Sequence, residues 1–260
     1  MTDRSGPPRR RLRGSTVGRV ASAPDTRGNR PPALTLALAT VGPLLLALAG
    51  LVHPSGLSAA TAHRWMWLHI ALLPVFPLLA LGFVVLLRER PRARTPAVAR
   101  GVTWIGAAVY AAGYTGLDAV AGIAAGTVAG QPGDPSELRR LVLALYETGN
   151  RLGRVGVYAF LAAVLAATVT LAGAHGIRVL PGTAVLLGAG WSFIDSHIFA
   201  PRGVLTMLAM AAGFGLWAWS IGPATRRSVP GDRQIPAKSV PRDPSSPPTR
   251  NRRRPRRRHW

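Results

Sequence analysis

The apolar residues of this chain arrive in blocks of about 20, the length that crosses a bilayer as a helix. The blocks cover residues 33–52, 65–87, 101–128, 137–174, 179–199 and 203–222. None alternates with a period of two. Segments in lipid must satisfy their own backbone hydrogen bonds, so all six are expected to be helices. The expected fold is an all-α polytopic bundle of six transmembrane helices joined by short connections.

Charge lies almost wholly outside these blocks. The 260 residues are 48% hydrophobic and yet carry a formal net charge of +22, of which residues 1–32 supply +6 and residues 223–260 supply +10. Three regions follow: a basic tail (1–32), the membrane domain (33–222) and a Pro/Arg-rich tail (223–260). Eight prolines in the last 38 residues predict disorder there, and the first tail reads the same way. With the amino terminus cytoplasmic, 26 of the 32 basic residues fall on the inner side, so both termini are expected inside a bacterial plasma membrane. Trp65 and Trp67 would then mark the outer interface, and Trp104, Trp217 and Trp219 the inner one. Ala47-Leu48-Ala49 is similar to a signal cleavage site, but the basic region before it is long and the apolar run continues past it. The first block is therefore expected to be retained as a span.

The chain has no cysteine, which excludes disulfides, thiolate metal sites and c-type haem attachment. Only Lys238 of the 32 basic residues is lysine, a bias that GC-rich coding explains. The cluster Arg252-Arg253-Arg254-Pro255-Arg256-Arg257-Arg258 predicts attraction to anionic lipid head groups rather than specific nucleic-acid binding, since no stacking aromatics accompany it. The lipid bilayer is the expected partner, and a homo-oligomer is left open. Small residues repeat every fourth position at Gly122/Gly126/Gly130 and on the sixth block, as close helix packing needs. Pro43, Pro74 and Pro77 should bend the first two helices.

Ionisable groups within a membrane are costly, so they are the candidates for function. His69 lies one turn below Trp65. Tyr110, Tyr114 and Asp118 recur every fourth residue on the third helix. Glu147, Asn150, Arg151 and Arg154 share a face of the fourth, while Asp195 and His197 close the fifth. His53, His63 and Arg64 lie in or beside the first outer loop. In this topology the groups gather in the outer leaflet, either as a ligand- or proton-binding cluster or as ion pairs, Glu147 with Arg151 within one helix and Asp118 or Asp195 with Arg151 or Arg154 between helices.

No catalytic residues, no metal ligands and no cofactor are expected, and an enzyme is the less favoured class. A b-type haem with His69 and His197 as axial ligands is one alternative, and a small transporter or accessory membrane subunit is another. Glu147-x-x-x-Arg151 with Phe193-x-x-x-His197 is similar to part of the pattern of membrane-embedded CAAX proteases. Tyr146 stands where that family pairs its glutamates, and no later intramembrane histidine follows, so no hydrolase role is carried over.

Leu68-His69-x-x-Leu72-Leu73-Pro74-x-Phe76-Pro77-Leu78-Leu79 and Tyr114-x-x-Leu117-Asp118-Ala119-x-Ala121-Gly122-Ile123-Ala124-Ala125-Gly126 resemble segments of small integral membrane proteins of high-GC actinobacteria. That resemblance implies no particular activity. It does put His69, Tyr114 and Asp118 inside the recognisable segments.

Overall fold

The computed structural model describes residues 33–88 and 93–221, and among them every regular element is helical. Both tails lie outside the described residues. In chain order the elements are α1 (Ala33–Val52), α2 (Ala62–Leu72), a 3-10 turn (Phe76–Ala80), α3 (Leu81–Leu86) and α4 (Arg94–Leu117). A π-helical turn (Asp118–Ala124), α5 (Ala125–Ala129) and α6 (Pro135–His175) follow. A second 3-10 turn (Gly176–Val179) leads to α7 (Leu180–Ser196) and α8 (Arg202–Ser220). Among the described residues, four segments are long and apolar enough to cross a membrane: Ala33–Val52, Ala62–Leu86, the helical stretch Pro135–Ser196 and Arg202–Ser220.

The breaks have local causes. Pro74 and Pro77 cannot donate backbone hydrogen bonds, and the second rod changes from α to 3-10 geometry across them, whereas α1 runs through Pro43 as one helix. Asp134 caps α6 by accepting from the backbone N–H groups of Ser136 and Glu137, with Pro135 in the first turn. The Ser136 hydroxyl bond, followed by those backbone bonds, holds the Asp134 carboxyl below its usual range. At the other end of α6, Gly176 takes φ +70°, a backbone that side chains disfavour, and the chain reverses. Thr168 and Thr183 then meet at 2.9 Å across the resulting hairpin, so Pro135–Ser196 is two antiparallel helices.

Antiparallel neighbours approach closely at glycines. Gly113 of α4 lies against Leu152 and Gly156 of α6, Gly182 of α7 against Gly213 and Trp217 of α8, and Gly50 of α1 against Ile198 and Val204. The Gly122/Gly126 stripe receives His69 and Met66 of α2. The core between these rods is aromatic: Phe83 lies 5.5 Å from Phe160 and 5.4 Å from Phe214, and Tyr110 lies 5.5 Å from Phe160. Large apolar side chains such as Leu48, Ile105, Leu165 and Leu205 remain exposed around the bundle. A surface of that kind suits lipid and not water.

Two tryptophans differ from their expected interfacial role. Trp65 turns inward and Trp217 is fully buried, its indole N–H donating to the Val179 carbonyl at 3.1 Å. Trp67 and Trp219 do face outward.

α6 is also longer than a span needs. Its 41 residues measure about 61 Å at 1.5 Å rise, roughly twice a hydrocarbon core. The exposed Arg139, Arg140, Glu147, Asn150, Arg151 and Arg154 all fall in its amino-terminal part.

Candidate functional site

Because the rods alternate in direction, His53 after α1, His69 on α2, Asp118 after α4 and His197 after α7 reach the same end of the bundle. His69 and Asp118 are fully enclosed there, at 2% and 0% exposure, and His53 and His197 are half-buried. The imidazoles of His53 and His69 meet edge to face, with ring centres 5.1 Å apart.

Hydrogen bonding fixes which nitrogens are available. His53 Nδ1 lies 2.8 Å from the Pro54 carbonyl, and His69 Nδ1 lies 2.7 Å from the Trp65 carbonyl. A carbonyl only accepts, so each Nδ1 carries the proton and each Nε2 keeps its lone pair. Those two Nε2 atoms face each other at 3.5 Å. Burial, its largest influence, holds the His53 imidazole below its ordinary value, and the Arg64 guanidinium works the same way. Arg64 itself donates to the Val52 carbonyl at the end of α1.

Asp118 opens the π-helical turn, and neither of its buried oxygens has a hydrogen-bond partner. His69 Nε2 is 3.9 Å from Oδ1, within ion-pair reach but too far for a hydrogen bond. The Tyr114 hydroxyl lies 3.3 Å from His197 Nδ1, and the two rings are nearly parallel at 5.8 Å. His197 has φ +44°, a strained backbone for a residue with a Cβ. The wall is held by Trp65, which stacks on His69 at 5.0 Å and donates its indole N–H to the Ala121 carbonyl at 3.3 Å. Beside the histidines is a partly open cavity of about 280 Å³ lined by Ser55, Gly56, Trp65, His69, Tyr146 and His197 among others.

Comparisons of the chain with protein-family models, curated proteins and solved structures found no match.

Of the residues singled out in the sequence, His69, Tyr114, Asp118 and His197 come together. Glu147, Asn150, Arg151 and Arg154 do not, because their face of α6 points away from the bundle; Glu147 and Arg151 pair with each other at the surface. Asp195 is exposed on α7. The expected pairing of Asp118 or Asp195 with Arg151 or Arg154 is thus replaced, for Asp118, by the contact with His69. His63 accepts from the Trp67 indole at 2.9 Å on the surface.

His53 is the member that the sequence places in or beside the first outer loop. Its signal was its position one residue past an apolar block, which puts it level with the start of the next. With it, one nitrogen from each of His53, His69 and His197 lies within 4.8 Å of the others, close enough for three imidazoles to share one ion. That trio was not expected, since no pair of these histidines has a metal-motif spacing in sequence.

Proposed function

We propose that this chain is a six-span protein of the bacterial plasma membrane, with both termini cytoplasmic, which binds a small ligand in a chamber opening on the outer face. The observation that carries the reading is the convergence of His53, His69, Tyr114, Asp118 and His197, from four separate rods, on one end of the bundle beside a 280 Å³ cavity. That volume has room for about nine waters at roughly 30 Å³ each, which fits a small polar ligand and its hydration. The six antiparallel rods and the excess of basic residues in the tails and in residues 88–100 support the orientation. Binding is favoured over conduction because the aromatic core of Phe83, Phe160, Phe214 and Trp217 fills the bundle beyond the chamber. A haem between His69 and His197 is less well supported, since His53 occupies the space beside His69 that a porphyrin would need.

Cysteine labelling tests the orientation directly, as the chain carries no native cysteine. In intact spheroplasts, a membrane-impermeant maleimide should label Ser55→Cys, whereas Ala93→Cys should react only after permeabilisation. The reverse pattern would place the chamber on the cytoplasmic side and refute the reading.

A further inference from the structure

We infer that the chamber is a transition-metal site in which the imidazoles of His53, His69 and His197 and the Asp118 carboxylate bind one divalent ion; this rests on the chamber proposed above. Three features of the geometry carry it. Two lone-pair-bearing nitrogens, His53 Nε2 and His69 Nε2, face each other at 3.5 Å. With both Nδ1 protons committed to carbonyls, no hydrogen lies between the two neutral rings, and two acceptors at that distance repel unless a proton or a metal cation joins them. Nitrogens bound to one tetrahedral ion at about 2.05 Å stand about 3.3 Å apart, close to the observed gap.

The second feature is Asp118. A fully buried carboxylate with no hydrogen-bond partner is expensive, and here it lies 3.9 Å from one of those nitrogens. A bound cation supplies the missing partner. The third is the support around the ligands. The carbonyls of Pro54 and Trp65 orient two rings and the Tyr114 hydroxyl meets the third, as outer partners of metal-bound imidazoles do. In the tautomer whose His197 Nδ1–H donates to the tyrosine oxygen, the His197 Nε2 lone pair is free to ligate.

Imidazole with carboxylate, and no sulfur, suits zinc, copper(II), nickel or iron(II) rather than calcium or magnesium. The adjoining, partly open cavity gives an ion a path to these ligands.

The test uses the full chain purified in detergent, stripped with a chelator and loaded with Zn²⁺, with Co²⁺ as a visible stand-in. The expected result is one ion per chain, a cobalt spectrum of four-coordinate type, and affinity lowered about tenfold or more in both His53→Ala and Asp118→Asn. His63→Ala, a histidine outside the cluster, should bind as the unaltered protein does. His53 follows the end of α1 and is half-buried, so its loss leaves the helical packing intact, and a monodisperse elution profile checks this for every variant. Binding that is unchanged in His53→Ala, or cobalt of six-coordinate oxygen type, overturns the inference. Absence of binding while Ser55→Cys still reacts from outside overturns the metal and leaves the chamber; absence of both removes the chamber as well.

Discussion

Gly122 lies where the π-helical turn meets His69, so a single methyl group there probes the site through its support. In Gly122→Ala the new Cβ would overlap the His69 ring and stand 2.7 Å from the His69 Cβ. Carbon atoms need about 3.5 Å, so α2 and the turn must part by roughly 0.8 Å. Binding constellations tolerate displacements of about 0.5 Å, and overpacking costs about 1–3 kcal/mol. The variant should therefore melt earlier by that amount and bind zinc about tenfold or more weakly. Thermal unfolding and zinc titration of the purified protein measure the two effects. The proper comparison is Gly101→Ala, where nothing lies within 4 Å and neither property should fall. A Gly122→Ala protein with unaltered melting and zinc affinity would refute the seating of His69 against this turn.

Asp118→Leu should make the metal-free protein more stable by about 1–3 kcal/mol, because it removes a buried carboxylate without a hydrogen-bond partner, while abolishing tight zinc binding; denaturation with and without zinc separates the two. At His197, glycine should be less destabilising than alanine by about 1 kcal/mol in thermal unfolding, since only glycine relieves φ +44°. Thr183→Val removes the hydroxyl that joins Thr168 and the Trp217 indole and should cost about 1 kcal/mol by the same assay, with zinc binding unchanged.

The positions of the rods were legible because each apolar block has the length of a membrane span and ends at Pro, Gly or charge. Tyr114 and Asp118 were legible as candidates because an unpaired acid in an apolar helix needs a reason. The outward turn of the charged face of α6 has a physical cause that the sequence does contain. Gly149, Gly153 and Gly156 mark the side on which α4 can approach closely, so Glu147, Asn150, Arg151 and Arg154, lying off that stripe, had to face outward. Helical periodicity groups residues on a face but does not say which neighbour the face meets. Trp65 reads as an interfacial anchor for a similar reason: an indole near a helix end suits an interface, and its burial against His69 depends on tertiary packing. The metal-capable trio was beyond sequence spacing altogether, as His53, His69 and His197 are brought together only by the alternating direction of the rods.

X-ray absorption on the zinc-loaded full-length protein examines the proposed ligand set most directly. The expected result is a first shell of nitrogen and oxygen at about 2.0–2.1 Å with the outer-shell pattern of three imidazoles, reduced to two in His53→Ala. A shell with fewer than two imidazoles, or one that His53→Ala leaves unchanged, would contradict a single ion shared by histidines from three separate rods.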